Sequence, residues 1–273
     1  MQIARTVAGI RDHLAAHRAS GATIGLVPTM GAFHAGHVAL FEAAGRECDV
    51  VVVSLFVNPV QFGDPADLAA YPRDVEGDAE IAREHGVHHL FVPDVTEIYP
   101  AGHATWVEVG GAAEGFEGEF RPGHFRGVAT VCLKLFNIVA PRQAYFGQKD
   151  AQQVAVIQQL VRDLDVDLAI RVVPTVRDTD GLALSSRNAR LSARERQLAR
   201  AIPQALAAAA AAYRDGADPV AAARHELAGV DTDYVALATL NGVRALVIAA
   251  RVGSTRLIDN LPLDDVPVAQ RST

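Results

Sequence analysis

The stretch Ile24-Gly-Leu-Val-Pro-Thr-Met-Gly-Ala-Phe-His-Ala-Gly-His37 decides the fold of this chain. Its first residues, 24–27, form a short apolar run that is typical of a buried strand. Pro28 has no backbone N–H to donate, so it predicts the end of that strand. Gly31 and Gly36 allow the backbone to turn sharply or to approach a ligand closely. The stretch therefore predicts a strand, a glycine-containing loop and the start of a helix at Gly36.

Two histidines, His34 and His37, lie three residues apart where this helix is predicted to begin. The first N–H groups of a helix have no partner inside it, and they lie at the positive end of the helix dipole. Such a turn suits an anionic ligand, for example a nucleotide phosphate. The alternative is that both histidines only cap the helix.

Three other ligand motifs can be compared with this turn. Gly31 and Gly36 have the spacing of a Walker A loop, but His37-Val38 stands where that motif requires Lys followed by Ser or Thr. The Gly-x-Gly-x-x-Gly motif of dinucleotide binding does not occur in the sequence. A zinc site built on His-x-x-His lacks a nearby Cys or an acidic third ligand. These comparisons leave a nucleotide phosphate as the favoured ligand.

Composition restricts the classes of function. The 273 residues allow one large domain or two moderate ones, and 50% hydrophobic residues provide a substantial core. A net charge of −7 argues against a general nucleic-acid-binding protein. Cys48 and Cys132 are the only cysteines, so no disulfide framework is predicted. Residues 1–19 do not resemble a signal peptide and no run approaches the length of a membrane span, so we expect a soluble cytoplasmic protein.

Strands and helices alternate along the first two thirds of the chain. The predicted helices are 7–19, 36–45, 74–86, 128–139 and 151–164, and the further strands are 48–57, 87–92, 143–147 and 168–173, with a short one at 106–109. This repeated alternation predicts an α/β fold with a mainly parallel sheet that is covered by helices on both faces.

The pattern changes after Pro174. One long alanine-rich helix is predicted from a cap at Ser192 to about Tyr213, with Glu195 completing a capping box. A shorter helix at 219–229 and strands at 233–240, 244–252 and 256–258 follow, with turns at Asn241-Gly242 and Gly253-Ser254. We therefore expect two domains, residues 1–175 and a smaller α+β domain of residues 176–273, whose last residues from Leu263 are loose.

Polar side chains follow several of the predicted strands. Gln61 comes just after the strand that ends at Asn58-Pro59, and the carboxyl ends of strands are where open α/β sheets bind ligands. Lys149 follows the 143–147 strand and can neutralise a phosphate, while Asp150 can cap the next helix. These positions are candidates for a ligand site.

Two further stretches have a composition suited to phosphate. Arg121, His124 and Arg126 concentrate positive charge before a predicted helix, where they form either a solvated turn or a loop that contacts phosphates. The run Ser185-Ser-Arg187 offers two hydroxyls and a guanidinium in succession.

Taken together, five blocks of sequence resemble the pantothenate synthetase (pantoate–β-alanine ligase) family in order and spacing. They are Pro28-Thr-Met-Gly31 with His34-Ala-Gly-His37, Phe56-Val-Asn-Pro-Val-Gln-Phe62, Arg121-Pro-Gly-His-Phe-Arg-Gly127, Phe146-Gly-Gln-Lys-Asp150 with Gln152-Gln153, and Asp180-Gly-Leu-Ala-Leu-Ser-Ser-Arg-Asn188. The resemblance implies ATP-dependent condensation of (R)-pantoate with β-alanine through a pantoyl-adenylate, giving pantothenate, AMP and pyrophosphate. It also implies Mg2+, a Rossmann-like N-terminal domain, a C-terminal lid domain and a homodimer.

The resemblance also assigns individual residues. It makes His37 the proton donor and groups it with His34, Lys149 and Arg187 as catalytic residues. It assigns pantoate to Pro28, Thr29, Met30, Gln61 and Gln153, and β-alanine to Gln61. The implied ATP contacts are Met30, Gly31, His34, His37, Gly147, Gln148, Lys149, Asp150, Val176, Leu184, Ser185, Ser186 and Arg187.

The sequence does not identify the protein ligands of Mg2+. Asp78 matches an acidic position that the family associates with magnesium, but Gly77 stands where relatives often have an acid. Mg2+ can instead be held chiefly by phosphate oxygens and waters.

Two alternative functions remain to be compared with the ligase. One is a nucleotidylyltransferase that transfers AMP or CMP to a phosphorylated acceptor, and the other is a non-catalytic nucleotide- or metal-binding protein. Gln61 and Gln153 favour the ligase, because neutral amides suit a hydroxy acid better than a phosphorylated acceptor. We expect neither nucleic acid nor a membrane as a partner.

Overall fold

A six-stranded parallel sheet organises the first of two units in the computed structural model, which describes residues 1–264. Unit 1 comprises Met1–Gln148 and Gln152–Pro174, and unit 2 comprises Lys149–Ala151 and the chain from Thr175 onward. The strands of unit 1 are β1 (Gln2–Ala4), β2 (Ile24–Thr29), β3 (Val50–Leu55), β4 (His89–Phe91), β5 (Gln143–Gly147) and β6 (Ala169–Val173), in the order β1-β4-β3-β2-β5-β6.

Helices cover both faces of this sheet. They are α1 (Val7–Ala19), α2 (Ala35–Glu47), α3 (Pro65–Ala69), α4 (Val75–Glu84), α5 (Val95–Ile98), α6 (Phe116–Phe120), α7 (His124–Val139) and α8 (Ala151–Asp163). One core contains Leu14, Leu135 and Ile157 from α1, α7 and α8, and the other contains Phe41 and Ala82 from α2 and α4. The predicted parallel sheet with two covered faces is confirmed.

The strand β2 extends beyond its predicted end. It continues to Thr29, and Pro28 lies opposite Ser54 of β3, whereas its pairing with β5 covers only Gly25 and Leu26. Proline is tolerated in a strand where a backbone N–H has no ladder bond to make.

The helix α2 also extends beyond its predicted end. It continues through Gly45 to Glu47, because an exposed glycine weakens a helix by only about 0.5–1 kcal/mol and does not stop it.

The strand predicted at 106–109 is not formed. Residues 104–110 pair with no other strand in the part of the chain that the structure describes, residues 1–264. The side chain of Trp106 instead packs beneath Arg126, whose guanidinium carbon lies 4.8 Å from the ring centroid.

Unit 2 contains a three-stranded antiparallel sheet, β7 (Asp231–Leu240), β8 (Val243–Val252) and β9 (Thr255–Pro262). Its helices are α9 (Ala193–Ala199), α10 (Ala201–Arg214) and α11 (Pro219–Glu226). The β7–β8 hairpin turns at Asn241 and Gly242, whose φ angles of 48° and 85° fit the tight turn predicted from this dipeptide. The small α+β fold is confirmed, and its core includes Ile202, Leu206 and Ile248.

The long helix predicted from Ser192 to Tyr213 is broken at Arg200. Pro203 explains the break, because its ring clashes with the carbonyl four residues earlier and it has no N–H to donate. The capping box of Ser192 and Glu195 is present as predicted.

Leu263, the first residue of the segment predicted to be loose, is part of the fold. Leu263 is buried, and its N–H donates to the carbonyl of Arg244 at 2.8 Å, so it is not loose. The remainder of the predicted loose segment, residues 265–273, lies outside the described residues. Within residues 1–264, no helix has the length and apolar character needed to cross a membrane.

Candidate functional site

His34 and His37 cap the start of α2 reciprocally. His34 accepts a hydrogen bond at Nδ1 from the N–H of Gly36 (3.1 Å), and His37 accepts one at Nδ1 from the N–H of His34 (3.3 Å). The two ring centroids are 4.2 Å apart. A ring nitrogen that accepts a hydrogen bond carries no proton, so in each neutral ring the proton is on Nε2. The caps thus fix both histidines as Nε2–H donors at a helix start, where anions bind.

The turn before His34 is held by a buried carboxylate on α4. Asp78 is 4% exposed, and its two oxygens accept from the N–H groups of Ala32 (2.8 Å) and Phe33 (2.7 Å). Burial raises the pKa of the Asp78 carboxyl, and the two backbone hydrogen bonds oppose that shift. Gly31 has a φ of 87°, and a Cβ there would lie 2.7 Å from Asp78 Oδ2. The turn therefore requires glycine at this position.

The described residues do not form a metal cage of their own. Within residues 1–264, no group of three or more His, Cys, Asp or Glu side chains is arranged to hold a metal ion. Both oxygens of Asp78, the position that the sequence associates with Mg2+, accept backbone hydrogen bonds. At Gly77, a Cβ would lie 2.4 Å from Oδ2 of Asp74, the residue that caps α4.

Gln61 is buried in a 3-10 turn, Pro59–Gln61, directly after β3. Its Oε1 accepts from Nδ2 of Asn58 at 3.1 Å, and its Nε2 contacts the sulfur of Met30 at 2.9 Å. Asn58 is also buried and accepts at Oδ1 from the hydroxyl of Tyr99 at 3.0 Å. The structure therefore brings together Met30 and Gln61, two positions that the sequence assigned to one ligand, and it orients the Gln61 amide.

The backbone of Gln61 is held by α7 and the turn before it. The Gln61 carbonyl accepts from Nδ1 of His124 (2.9 Å) and from Nη2 of Arg121 (3.4 Å). A Cβ on Gly127 would lie 2.8 Å from the Gln61 nitrogen, so α7 packs directly against this turn. In the basic stretch, Arg121 and His124 thus support the Gln61 turn, and Arg126 pairs with Glu108 at 3.3 Å.

A cleft of about 330 Å³ opens beside these residues at the carboxyl ends of β2 and β3. Met30 and Asp78 line it together with the apolar side chains of Leu55 and Phe56. Just before Met30, the Thr29 hydroxyl donates to the carbonyl of Ser54 at 2.6 Å. The cleft is lined mainly by apolar side chains, with Arg5, Arg73, Asp78 and Asp94 as its charged lining residues, a composition that suits a small polar organic ligand.

The two glutamines at the start of α8 differ in their contacts. The Gln152 amide nitrogen donates to the carbonyls of Ala112, Glu114 and Gly115, and its Oε1 accepts from the Glu117 N–H at 2.9 Å. Gln152 is buried and holds the loop before α6, whereas Gln153, the residue assigned to pantoate, is half-buried. The sequence did not distinguish these roles.

The other residues predicted to contact phosphates lie on two segments, 147–150 and 176–187. Gly147 ends β5 of unit 1, and a 3-10 turn, Gln148–Asp150, follows it; Lys149 Nζ lies 3.8 Å from Asp150 Oδ2. The second segment folds back on itself, because the N–H of Leu184 donates to the carbonyl of Val176 at 3.0 Å.

The second segment ends in a capped turn. Ser185 caps the 3-10 turn Ser186–Arg190 by accepting from the Arg187 N–H at 3.2 Å. Arg196 on α9 bonds to Asp180 at 2.9 Å and thereby lowers the pKa of that carboxyl. The Ser-Ser-Arg run is thus held on a supported turn.

Four supporting residues were missed by the sequence reasoning. Asn58 had a signal, since it follows a predicted strand directly and precedes a proline. Gln152 belongs to a block that resembles the family, but the block does not show its supporting role. Tyr99 and Asn260, whose amide donates to the Lys149 carbonyl at 2.9 Å, had no signal, because their roles depend on contacts between distant parts of the chain.

Comparisons with known proteins extend over nearly the whole chain. The family model described as pantoate-beta-alanine ligase matches residues 2–262. The chain is 53% identical to a pantothenate synthetase of Rhizorhabdus wittichii, covering 98% of this chain and 100% of the relative. It is 46% identical to the pantothenate synthetase of Moorella thermoacetica, covering 97% of this chain and 99% of the relative.

Two solved structures are similar to this fold. One is a pantothenate synthetase from Thermus thermophilus, with a TM-score of 0.92, 42% identity and coverage of 96% of this chain and 99% of the other. The other is a pantoate-beta-alanine ligase from Francisella tularensis complexed with beta-gamma ATP and β-alanine, with a TM-score of 0.83, 36% identity and coverage of 97% and 98%.

Proposed function

Because the chain belongs to the pantoate–β-alanine ligase family, its reaction is the ATP-dependent joining of pantoate to β-alanine, and we propose that this reaction runs through a pantoyl-adenylate. The products are then pantothenate, AMP and pyrophosphate. One observation in this chain carries the proposal: His34 and His37 are held as paired Nε2–H donors at the start of α2. Such a pair suits the charge that develops when an α-phosphate is attacked.

The ATP contacts that we propose lie on this turn and on the segments 147–150 and 176–187. The full set is Met30, Gly31, His34, His37, Gly147, Gln148, Lys149, Asp150, Val176, Leu184, Ser185, Ser186 and Arg187. Support comes from the glycine-dependent turn at Gly31, the cation of Lys149 and the capped turn that carries Arg187. The Francisella tularensis relative is complexed with beta-gamma ATP, which supports ATP as the ligand.

In the first half-reaction, a carboxylate oxygen of pantoate attacks the α-phosphorus of ATP. The bond from that phosphorus to the bridging oxygen breaks, and pyrophosphate leaves. We assign His34, His37, Lys149 and Arg187 to stabilising the charge on the transferring group and the leaving oxygens. His37 acts as the proton or hydrogen-bond donor through Nε2. This half-reaction needs no covalent intermediate with the protein.

In the second half-reaction, the amine of β-alanine attacks the acyl carbon and AMP leaves with the former carboxylate oxygen. We assign pantoate to Pro28, Thr29, Met30, Gln61 and Gln153, and β-alanine to Gln61. The fixed orientation of the Gln61 amide supports this, because it keeps the donor nitrogen on the side of Met30. Fixed positioning of two reactants is worth about 7–11 kcal/mol in ideal cases.

We propose that Mg2+ enters with ATP and is held chiefly by phosphate oxygens and waters. The side chains of residues 1–264 do not form a cage for it, and Mg2+ normally keeps several waters beside one or two carboxylates. Asp78 remains the single protein ligand that the sequence suggests, and its contacts support a role in shaping the turn instead.

Three wider assignments rest on the family. We propose a functional division into residues 1–175 and 176–273, a homodimer, and a cytoplasmic site of action. The two observed units support the division, except that Lys149–Ala151 groups with the second unit. The two buried free cysteines fit a reducing compartment. Light scattering coupled to size exclusion tests the dimer: a mass near 29.0 kDa, that of one chain, would contradict it.

A direct assay tests the proposed function. ATP conversion to AMP is followed with pantoate alone, with β-alanine alone and with both. The proposal predicts multiple turnovers only with both substrates, and about one equivalent of pyrophosphate per active site with pantoate alone. Steady AMP or CMP transfer to a phosphorylated acceptor, without β-alanine, would instead indicate a nucleotidylyltransferase.

A further inference from the structure

A continuous series of hydrogen bonds joins two segments of unit 2 that are assigned to ATP. The Asn260 amide donates to the carbonyl of Lys149 at 2.9 Å, and the Asn260 N–H donates to Asp259 Oδ1 at 2.8 Å. Asp259 pairs with both terminal nitrogens of Arg177, at 2.7 and 3.1 Å. Arg177 also donates to the carbonyl of Gly181 at 3.1 Å. We call Asn260, Asp259 and Arg177 the β9 link.

The middle of the β9 link is shielded from water. The Asp259 side chain is 1% exposed, Asn260 is 4% exposed, and the Arg177 side chain is 33% exposed. Two-point pairing between a guanidinium and a carboxylate fixes the orientation of both groups. Hydrogen bonds in such surroundings are stronger than those at the surface. The link is therefore a rigid part of unit 2.

The position of the link on β9 explains how one strand reaches both segments. Asp259 and Asn260 are adjacent residues of β9, and adjacent side chains of a strand point to opposite faces. Asp259 thus reaches Arg177, at the start of the segment that leads to Arg187, while Asn260 reaches Lys149. The β9 link ends at the backbone carbonyls of Lys149 and Gly181, so it holds the main chain at both positions.

We propose that Asn260 is a positioning residue for adenylation, because its amide fixes the main chain at Lys149 while the Asp259–Arg177 pair holds Asn260 in place. The inference depends on the proposed role of Lys149 toward the phosphates of ATP. Asn260 itself is assigned no contact with a substrate. A shift of about 1 Å in a group that stabilises a transition state is enough to lower a rate by up to about a hundredfold.

The test compares the two half-reactions in single turnovers. Asn260→Ala removes the amide, and Asn260→Asp keeps its volume but presents an oxygen to the Lys149 carbonyl. We expect both variants to slow adenylation about tenfold. Supplied pantoyl-adenylate should react with β-alanine within about twofold of the wild-type rate. Equal slowing of both half-reactions, or no slowing, would show that Asn260 has only a structural role. If Asn260→Ala does not fold, Asn260→Asp decides.

Asp233 provides a matched control on the same sheet. It pairs with Arg251 of β8 and Arg256 of β9, much as Asp259 pairs with Arg177, but these two partners lie on strands and not on a segment assigned to ATP. Asp259→Asn and Asp233→Asn should both lower the melting temperature. We expect only Asp259→Asn to change the ratio of the two half-reaction rates, and a similar change in Asp233→Asn would contradict the proposal.

A double-mutant cycle separates this inference from the proposed function. If Lys149→Ala leaves adenylation at its normal rate, the role proposed for Lys149 is wrong and the role of Asn260 is lost with it. If Lys149→Ala slows adenylation but Asn260→Ala does not, only the positioning role is wrong. When both roles hold, the double variant Lys149→Ala/Asn260→Ala should form the adenylate less than about twofold more slowly than Lys149→Ala alone. A further decrease of about tenfold in that rate would show that Asn260 does not act through Lys149.

Discussion

Replacing Gly127 with alanine should disturb the Gln61 turn from the side of α7. A Cβ at position 127 would lie 2.8 Å from the Gln61 nitrogen, 2.9 Å from the Val60 carbonyl carbon and 3.0 Å from the Gln61 Cα. All three are backbone atoms, so no flexible side chain can move aside. Overpacking of this kind lowers the free energy of unfolding by about 1–3 kcal/mol, and the better helix propensity of alanine offsets about 0.5–1 kcal/mol of that loss. We expect a net loss of stability of up to about 2.5 kcal/mol.

The effect on activity should exceed the effect on stability. To relieve the contact, α7 and the turn must separate by several tenths of an ångström, which weakens the bonds from Asn58 to the Gly127 carbonyl and from His124 to the Gln61 carbonyl. The Gln61 amide would then no longer lie in the position proposed for binding pantoate. We expect kcat/KM for pantoate to fall about ten- to a hundredfold, while the Kd for ATP changes by less than about threefold. Pyrophosphate release with varied pantoate, together with calorimetry for ATP, measures both quantities.

Gly45→Ala is the matched control. Gly45 also lies inside a helix, but it is exposed and a Cβ there would meet nothing within 4 Å. This variant should raise the free energy of unfolding by about 0.5–1 kcal/mol and leave the pantoate KM unchanged. A Gly127→Ala variant that behaves like Gly45→Ala, more stable and with a normal pantoate KM, would refute the argument that α7 positions Gln61.

Three further predictions concern other residues. His37→Ala and Lys149→Ala should each slow adenylation about a hundred- to a thousandfold and slow the reaction of supplied pantoyl-adenylate with β-alanine far less; single-turnover rates that fall equally would contradict this role. Gln153→Ala should weaken pantoate binding by about 1–3 kcal/mol and ATP binding much less, and equal weakening of both ligands in calorimetry would contradict the assignment. Burial, helped by two neighbouring histidines of α1, lowers the pKa of His89 from 6.5 to about 4. The folded chain therefore binds fewer protons than the unfolded chain between these values, so the free energy of unfolding should fall as the pH drops from about 6.5 to 4. His89→Gln should reduce that slope, and an unchanged slope in urea titrations would contradict it.

Local signals made part of the fold predictable. The helix Val7–Ala19 and the strand Gln143–Gly147 have the bounds that periodicity and apolar runs predict. The turn at Asn241-Gly242 and the cap at Ser192 also follow from neighbouring residues alone. Each of these features depends on interactions within a few residues, which a sequence displays directly.

Other features depend on competition or on distant partners. Pro203 breaks a helix that its alanine-rich surroundings favour, and the loss of one hydrogen bond with a steric clash outweighs that propensity. The short strand Gln2–Ala4 was not predicted, because three residues give no periodicity and its pairing partner, β4, is remote in sequence.

The features of the candidate site also fall into those that local sequence predicts and those that depend on distant residues. The position of the two histidines at the start of α2 was predicted from their spacing, but their reciprocal caps and fixed tautomers are seen only in the three-dimensional structure. Asp78 supports Ala32 across 46 positions of sequence, and Asn260 bonds to Lys149 across 111. No local pattern connects residues so far apart, so the residues that support a site were harder to predict than those assigned to ligands.

Oxygen-18 placed in both carboxylate oxygens of pantoate tests the central claim, that this carboxylate attacks the α-phosphorus of ATP. After complete turnover with β-alanine, we expect one labelled oxygen in AMP, one in the amide carbonyl of pantothenate and none in pyrophosphate. Mass spectrometry of the three products gives the distribution. Unlabelled AMP, or label in pyrophosphate, would contradict the adenylate pathway.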